Sequence, residues 1–356
     1  MNRRALVTIA ILAVLTTSSF AQSPHQVYVP VAATGLPGSK IAFARVAGDY
    51  AYPGIAAQLI MNADGTHLIS GDYHDIAPRT LRWSPDGSMM IYISQPDSTD
   101  DAGAYGYVTT INADGSNAFA GDYGKTPDWA PNGRTFAYLR WDSENSDQIW
   151  TDDIQISHPE QLTHEISRTL LYPRWSPDGR YIAYISESNP DDGQGFNKIT
   201  VIDAGTGAPV IEHTKANSST CHFAIAPSWA KDSRHIVFGC PNVTPMDLSG
   251  QTTVIGTSYA GAVYSPDGTK IAFCEPGGFP EPPDVIVTDA TGRQLTFFTY
   301  PGSGFLSWSP DSRRLVADGP SASGGPIWVM NADGTNITQI ATPPSGFFYE
   351  APQWSP

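Results

Sequence analysis

Short apolar runs with an alternating pattern recur along the whole chain. Examples are residues 90–94, 135–140, 181–186, 235–240, 270–275 and 314–319, with sequences such as MIYIS and KIAFCE. Alternation of this kind predicts β-strands. Each run follows a phrase related to Trp-Ser-Pro-Asp-Gly, whose Gly takes the positive φ that a tight turn needs. The phrase and the run after it therefore predict a β-hairpin, with strand A before the turn and strand B after it.

The phrase is the most regular feature of the sequence. Its seven copies, the last one incomplete, are residues 83–87, 129–133, 175–179, 229–233, 264–268, 308–312 and 354–356. Their aromatic residues are separated by 46, 46, 54, 35, 44 and 46 positions. Such a spacing with short strands between is typical of a radial β array. The aromatic residue fits a ligand-stacking cage or packing between repeating units, and its presence in every copy favours packing.

A third and a fourth strand follow in most repeats. The third run ends in a second turn signal such as Asn-Ala-Asp-Gly, and a short strand D comes after it. Third runs occupy residues 58–65, 107–115, 199–207, 285–292 and 327–334, and candidates for strand D are residues 67–70, 160–163, 293–298 and 338–341. Four antiparallel strands per repeat predict the blade of a β-propeller.

The two ends of the chain complete one another in this scheme. Residues 40–70 contain strands B, C and D but no strand A, whereas residues 352–356 resemble a strand A with nothing after it. We expect residues 352–356 to join the first blade and remove both open sheet edges. The predicted fold is all-β, a seven-bladed β-propeller over residues 40–356 with four antiparallel strands per blade.

The phrases WSPDG, IAF, NADG and QLT resemble the WD-like β-propeller repeats of the TolB-like family, which also occur in relatives of prolyl oligopeptidase and dipeptidyl peptidase. The resemblance covers about residues 40–356 and implies a propeller without implying an activity. TolB proper carries an α/β domain ahead of six blades, whereas seven blades are counted here and the repeats start soon after the N-terminus. We therefore expect a TolB-like propeller that differs from TolB itself.

The N-terminus has the features of an export signal. Asn2, Arg3 and Arg4 precede the apolar run 5–15, and Ser19-Phe20-Ala21 forms a small-x-small cleavage site. The run is too short to span a bilayer. We expect cleavage after Ala21, residues 22–39 to form a linker, and a periplasmic or secreted protein without a transmembrane anchor.

Charge restricts the class of partner. The formal net charge is −15, and removal of the two arginines in the signal makes the mature chain more acidic still. A protein this acidic repels phosphate backbones and anionic lipid, so nucleic acid is excluded as a partner. The three cysteines, Cys221, Cys240 and Cys274, fit either small buried strand residues or one Cys221–Cys240 disulfide with a thiol left over.

Function is expected at the end of the propeller that carries the B–C and D–A loops, because these loops are long and dissimilar. The B–C loops are acidic and fit either solvated loops or a docking rim for a basic partner or for calcium. The candidate acidic rim consists of Asp97, Asp100, Asp101, Asp142, Glu144, Asp147, Asp191 and Asp192.

The D–A connections carry positive charge inside this rim. Arg79, Lys125 and Arg168 are candidates for binding a small anion or a peptide carboxylate, with Phe348 and Tyr349 as an apolar wall. No G-x-S-x-G nucleophile elbow occurs. The histidines are scattered, although four of them fall on D–A connections: His74, His164, His213 and His222.

We therefore expect a monomeric scaffold that binds another envelope or extracellular protein, with no cofactor, no metal and no catalytic residue assigned. The alternative from the sequence is a carbohydrate-active or metal-dependent lyase or hydrolase that uses the channel mouth.

Overall fold

The strands expected from the alternating runs are present in the computed structural model. It describes residues 39–47, 57–70, 76–96, 104–142, 146–154, 158–166, 168–188, 196–216, 226–239, 242–258, 261–275, 283–300, 302, 305–319 and 325–356. The expected signal and linker, residues 1–21 and 22–39, lie outside these ranges except for Ser39. Among the described residues, no helix is long and apolar enough to cross a membrane.

The described regular structure is almost entirely β, with one 3-10 turn at Pro78–Thr80. In chain order the strands are β1 (Lys40–Ala47), β2 (Ala57–Asn62), β3 (Ile69–Ser70), β4 (Arg82–Trp83), β5 (Met89–Ser94), β6 (Gly106–Asn112), β7 (Phe119–Trp129), β8 (Thr135–Trp141), β9 (Asp147–Asp153), β10 (Glu160–Gln161), β11 (Arg168–Trp175), β12 (Tyr181–Ser188), β13 (Phe196–Asp203), β14 (Pro209–Ala216), β15 (Ser228–Trp229), β16 (His235–Phe238), β17 (Asn242–Asp247), β18 (Gly256–Thr257), β19 (Ala262–Tyr264), β20 (Lys270–Glu275), β21 (Asp284–Asp289), β22 (Gln294–Thr299), β23 (Leu306–Trp308), β24 (Arg314–Asp318), β25 (Ile327–Asn331), β26 (Thr338–Ala341) and β27 (Phe347–Trp354).

These strands form antiparallel sheets that follow the repeats of the sequence. Four sheets contain four consecutive strands each, β11–β14, β15–β18, β19–β22 and β23–β26, and one contains seven strands, β4–β10. In the seven-stranded sheet the long strand β7 pairs with β6 through its first half and with β8 through its second half. It therefore serves as the last strand of one repeat and the first strand of the next.

The remaining sheet joins the two ends of the described chain, in the order β27–β1–β2–β3. β27 pairs antiparallel with β1, from Ile41 opposite Trp354 to Ala47 opposite Phe347. The pairing of the C-terminal segment with the first repeat is present, and its strand begins at Phe347, ahead of the expected segment 352–356. Phe348 and Tyr349, which the sequence placed on a D–A connection, are part of this strand.

The recurring phrase folds into a hydrogen-bonded turn. In its first copy the Ser84 hydroxyl donates to Asp86 at 2.6 Å and accepts the amide of Met89 at 2.9 Å. Asp86 also accepts the amide of Ser88 at 3.0 Å, and Gly87 has a φ of 68°. The Asp thus bonds the turn's own backbone, a common role of Asp in tight turns. Asn132 accepts the equivalent amide of Arg134 at 2.9 Å in the second copy.

The aromatic residue of the phrase packs between repeats. Apolar residues form seven clusters in the described part of the chain, and each cluster combines strands of two neighbouring repeats. One of them brings Val316 and Ile340 of the last repeat against Phe43 and Trp354. Both faces of most sheets are therefore buried, and inner strands such as β1 and β5 are buried along most of their length. The packing interpretation of the aromatic residues is confirmed.

The indole nitrogens add a polar link in several repeats. Trp129 donates to the carbonyl of Arg82 at 3.3 Å, Trp229 to that of Arg174 at 2.9 Å and Trp308 to that of Val263 at 3.1 Å. Trp83 donates to the carbonyl of Gln353 at 3.1 Å. In each case the acceptor is the residue before the aromatic residue of the preceding copy, and for Trp83 this is the copy at the C-terminus.

One cysteine lies within the described residues. Cys274 in β20 is buried and free, and burial raises the pKa of its thiol. This agrees with a small buried strand residue. Cys221 and Cys240 lie outside the described residues, so the disulfide alternative stays a prediction.

We expect Trp354→Ala to lower the free energy of unfolding by about 3–5 kcal/mol, because the indole is 5% exposed between the first and last repeats. Urea unfolding followed by fluorescence measures this change. The matched control is Trp141→Ala, which removes an indole that is 57% exposed and should cost about 0.5 kcal/mol or less. Equal unfolding midpoints for Trp354→Ala and the wild type would contradict a role for this segment in stability.

The stabilising effect of Asp86 should depend on pH. Hydrogen bonds from Ser84 and Ser88 lower the pKa of Asp86 from 3.8 to about 2. The charged carboxylate therefore stabilises the fold above about pH 4, and this contribution disappears as the pH falls through about 2. We expect wild type to be more stable than Asp86→Asn at neutral pH, and the difference to shrink between about pH 4 and pH 2. Urea titrations over this range test it, and a difference independent of pH would contradict it.

Candidate functional site

Arg79, one of the residues predicted to bind a ligand, lies in the 3-10 turn and contacts β27. Its Nε donates to Glu350 Oε1 at 2.8 Å, and its guanidinium carbon lies 4.3 Å from the centre of the Phe305 ring. The side chain remains 33% exposed, compared with 13% for Glu350. Arg79 thus links the turn before β4 to the C-terminal strand while part of its guanidinium reaches solvent.

Lys125 has a different environment, inside strand β7. Its Nζ lies 3.0 Å from Asp147 Oδ2, and the two side chains are 4% and 3% exposed. Asp147 also accepts hydrogen bonds from the Tyr105 hydroxyl and, at 3.0 Å, from the amide of Leu170. Lys125 further lies 4.9 Å from the centre of the Tyr105 ring. The pair belongs to a buried polar network that connects β7, β9 and β11.

The predicted apolar wall is also interior. Phe348 is 8% exposed and Tyr349 1% exposed in β27. The Tyr349 ring packs edge-on against Phe43 at 4.7 Å between ring centres, and burial raises the pKa of its hydroxyl. Arg168 begins β11, and its side chain lies outside the description. Binding of a ligand by these residues stays a prediction, and among the described side chains Arg79 is the one best placed to reach a ligand.

Two residues of the predicted acidic rim are described. Asp142 is half-buried and accepts the amide of Ser146 at 3.0 Å and the Gln148 side chain at 2.8 Å. Asp147 faces the interior, in the network with Lys125. The other rim residues lie outside the described ranges: Asp97, Asp100, Asp101, Glu144, Asp191 and Asp192.

An exposed group of aromatic side chains, not singled out from the sequence, lies where β6, β7 and β8 meet. Tyr107, Tyr123 and Trp141 are 42%, 46% and 57% exposed, and Tyr123 and Trp141 pack against the buried Tyr105. The ring of Tyr123 lies 5.6 Å from that of Tyr107 and 6.0 Å from that of Tyr105, and Trp141 lies 4.9 Å from Tyr105. We call Tyr105, Tyr107, Tyr123 and Trp141 the aromatic patch.

Polar groups border the aromatic patch. Asp122, next to Tyr123, accepts the Tyr138 hydroxyl at 2.8 Å and lies 3.1 Å from Arg140. Arg140 and Asp122 are 42% and 31% exposed. Tyr105 and Tyr107 lie where the B–C loop leads into β6, Trp141 precedes the next B–C loop, and Tyr123 pairs with Tyr107, so the patch lies at the loop-bearing end. The sequence alone does not tell which of these aromatic residues are exposed, because Tyr and Trp favour strands whichever face they occupy.

A second feature missed from the sequence is the residue before each aromatic residue of the phrase. We call the residue before each aromatic residue the z residue. In four copies the sequence reads x-Pro-z-Trp, where z is Asp128, Arg174, Ser228 or Gln353. In three repeats the z side chain accepts a hydrogen bond from a backbone amide of the next repeat. Asp128 accepts the amide of Trp175 at 2.9 Å, Ser228 that of Tyr264 at 3.1 Å and Ser307 that of Trp354 at 3.1 Å. The z position therefore varies within an otherwise repeated motif.

Three consecutive z positions carry charge: Arg82, Asp128 and Arg174. Arg174 Nη1 lies 3.7 Å from Asp128 Oδ1. Burial, and then repulsion from Arg174, lowers the pKa of Arg82 to about 9, so Arg82 stays charged at neutral pH. Burial raises the pKa of Asp128 against the opposing effect of Arg174. Asp128 lies in β7 and Arg174 in β11.

The histidines do not converge within the described residues. His164 is exposed, and His213 lies in β14 with its ring 5.9 Å from that of Phe238. No group of three His, Cys, Asp or Glu side chains that could hold a metal ion occurs among the residues described. His74 and His222 lie outside them, so the enzymatic alternative stays a prediction from the sequence.

We expect Lys125→Met to lower the free energy of unfolding by about 3–5 kcal/mol, because it leaves the buried carboxylate of Asp147 without its cation. The double variant Lys125→Met/Asp147→Asn should recover part of this loss, since no uncompensated charge remains. Urea unfolding of both variants and the wild type measures the difference. If Lys125→Met were as stable as the wild type, the Lys125–Asp147 pair would have no role in stability, and ligand binding would become the better explanation for Lys125.

The sequence matches a known family over most of its length and a known relative over part of it. Residues 101–356 match the TolB beta propeller domain family. Dipeptidyl-peptidase 5 of Porphyromonas gingivalis is 31% identical over 117 residues, which span 31% of this chain and 16% of the peptidase. The chain thus matches only a small part of that relative.

Solved structures share the fold at low identity. TolB from Acinetobacter baumannii is 18% identical, with a TM-score of 0.54 over 91% of this chain and 69% of that one. An oligogalacturonate lyase in complex with manganese is 14% identical, with a TM-score of 0.58 over 85% and 84% of the two chains. The propeller domain of the trilobed protease from Pyrococcus furiosus is 14% identical, with a TM-score of 0.53 over 72% and 81%.

The family match covers well over half of the sequence, and the antiparallel sheets of the structure agree with it. This chain belongs to the TolB beta propeller domain family.

Proposed function

We propose that this protein is an exported, monomeric scaffold that binds another protein of the cell envelope or extracellular space. The binding surface is the end of the molecule that carries the B–C and D–A loops. The observation that supports it is the aromatic patch, where Tyr107, Tyr123 and Trp141 are all more than 40% exposed and are connected through the ring of Tyr105 and the Tyr107–Tyr123 contact.

The chemistry of the aromatic patch is that of an interface. Tyr, Trp and Arg are enriched at the centres of protein interfaces, and contiguous exposed apolar groups mark interaction sites. Tyr105 supports the patch from below and is itself held by the buried Lys125–Asp147 network. The rings therefore lie on a rigid base and lose little conformational freedom when a partner binds.

The architecture beneath this surface is a seven-bladed propeller over residues 40–356. Counting β7 in two successive blades divides the strands into seven groups of four, and the pairing of β27 with β1 makes the first of them. The seven clusters between neighbouring repeats support the same count. Residues 1–21 are the export signal, cleaved after Ala21, and residues 22–39 are a linker, which places the protein in the periplasm or outside the cell.

Of the predicted ligand-binding residues, Arg79 is proposed to contact the protein partner directly. Its partly exposed guanidinium could donate to a carboxylate of the partner, whereas Lys125, Phe348 and Tyr349 hold the surface from the interior. The acidic residues of the B–C loops would favour a protein partner with basic groups at the edge of its interface.

The experiment uses the mature chain, residues 22–356, as bait for envelope proteins of the native cell, followed by mass spectrometry. The binding constant of the captured partner is then measured with purified proteins. We expect Tyr107→Ser/Tyr123→Ser/Trp141→Ser to weaken the complex by about 30-fold or more, equal to about 2 kcal/mol, since central aromatic residues dominate interface energies.

The matched control is Leu295→Ser/Phe297→Ser on β22, which removes side chains that are 46% and 54% exposed away from the patch. This variant should bind as the wild type does. Equal binding by the patch variant, with the fold intact by circular dichroism, would show that the partner uses another surface.

A further inference from the structure

The rings of the aromatic patch have a defined spacing and orientation. Between ring centres, Tyr105 lies 6.0 Å from Tyr123 and 4.9 Å from Trp141, so the rings of Tyr123 and Trp141 are no farther apart than these two distances together. The Tyr107 ring stands at 83° to that of Tyr123, whereas Tyr105 and Tyr123 are stacked at 18°. The patch is therefore not one flat plate, and a ligand that covers it needs several separate apolar groups.

Two exposed side chains of the patch carry hydrogen-bond donors that have no partner among the described residues. They are the Tyr107 hydroxyl and the Trp141 indole nitrogen. A ligand that covers the rings displaces water from these donors and has to replace it with acceptors, because an unpaired buried donor costs free energy. An indole can donate but not accept. A ligand with exposed carbonyl oxygens therefore fits better than one with exposed N–H groups.

The charged groups of this region are already paired with one another. Arg140 lies 3.1 Å from Asp122 at the border of the patch, and Lys125 lies 3.0 Å from Asp147 beneath it. Each of these cations has its own carboxylate, so the part of the ligand that covers the rings is uncharged. The net charge of −15 then favours basic over acidic residues at the ends of that ligand.

The backbone at the centre of the patch is paired on both sides. Tyr107 lies opposite Ser94 in β5 and opposite Tyr123 in β7. A ligand over Tyr107 cannot extend the sheet there as an added strand, and its recognition depends on side chains. This favours a ligand whose backbone needs no strand partner.

We propose that the aromatic patch recognises a proline-rich segment of the protein partner in the polyproline II conformation. The inference rests on the function proposed above, because it concerns the same surface. A polyproline II segment has separate apolar rings, no charge and no internal hydrogen bonds, so its carbonyls are free to accept. Grooves lined by aromatic side chains are a recurring way of binding such segments.

The dimensions of a polyproline II helix suit the spacing of the rings. It advances about 3.1 Å per residue with three residues per turn, so prolines three positions apart lie on one side and about 9 Å from each other. This is within the limit that the structure sets for the distance between Tyr123 and Trp141. The segment is also stiff before it binds and loses little conformational freedom.

The experiment measures peptide binding to the mature protein by isothermal titration calorimetry. The probe is a nonapeptide of three Pro-Pro-Leu repeats with both ends blocked. We expect it to bind at least tenfold more tightly than a blocked nonapeptide of three Gly-Ser-Leu repeats, which has the same leucines but is flexible and lacks the proline rings. Two added lysines should strengthen binding severalfold at low ionic strength, and two added glutamates should weaken it.

Variants of the protein locate the site. Trp141→Ser should weaken binding of the Pro-Pro-Leu peptide at least tenfold. Trp141→Phe keeps an aromatic ring but loses the donor, so its affinity should lie between those of Trp141→Ser and the wild type. The matched control is Leu295→Ser/Phe297→Ser, which removes exposed side chains of β22 and should leave binding unchanged.

Four results would overturn the inference. They are no binding of the Pro-Pro-Leu peptide at millimolar concentration, equal affinity for the Gly-Ser-Leu peptide, unchanged affinity of a folded Trp141→Ser variant, and tighter binding of the neutral saccharide maltohexaose than of the peptide. Near-UV circular dichroism establishes that each variant is folded.

Failure of this inference is distinguishable from failure of the proposed function. If the peptide does not bind but Tyr107→Ser/Tyr123→Ser/Trp141→Ser still weakens the complex with the captured protein, the scaffold function stands and the proline-rich ligand is wrong. If the peptide binds through Trp141 but the same triple variant leaves the captured protein bound as before, the proposed protein-binding surface is wrong and the recognition of proline-rich segments stands.

Discussion

Burial of both faces by most of the sheets is the constraint on which this molecule depends. A four-stranded sheet with apolar residues on both sides cannot cover itself, so each repeat needs a neighbour before and after it. The apolar clusters lie between repeats, and each contains residues from both sides. The first and last repeats meet the same requirement through β27, which pairs with β1 while Trp354 packs against Val316. Stability therefore belongs to the assembly of repeats and not to any single one.

The repeated phrase serves this arrangement in two ways. Its Ser, Asp and Gly close a tight turn, and its aromatic residue fills the space between repeats and donates to the preceding copy. Neighbouring turns also interlock, since the amide of Asp178 donates to Ser233 at 3.0 Å and that of Asp267 to Ser312 at 3.0 Å. These residues must stay alike because their surroundings repeat. Residues free to differ are found where the surroundings do not repeat, at the z positions and in the loops.

Buried charge in this structure has two distinct forms. The Lys125–Asp147 pair is complete: the carboxylate accepts from a lysine, a tyrosine and an amide, so the network fixes the geometry beneath the aromatic patch. The Asp128–Arg174 pair is less enclosed and looser, with Arg174 Nη1 3.7 Å from Asp128 Oδ1 and the side chains 11% and 15% exposed. Asp128 also accepts the amide of Trp175, so this pair links two neighbouring repeats. Composition would have treated both groups as ordinary ion pairs.

The strands, their antiparallel order and the turn chemistry followed from the sequence, because alternation and the phrase are local properties that recur every 35 to 54 residues. The contact between the last and first repeats was also predictable, since each end lacked what the other supplied. Tertiary structure alone decided which polar and aromatic residues are accessible. Lys125 and Tyr349 read as loop residues and are buried in strands, because β7 and β27 extend through segments whose glycines and prolines hide the alternation. Asp128 and Arg174 lie far apart in sequence, and their ion pair forms only when neighbouring repeats pack together, a long-range arrangement that no local pattern encodes.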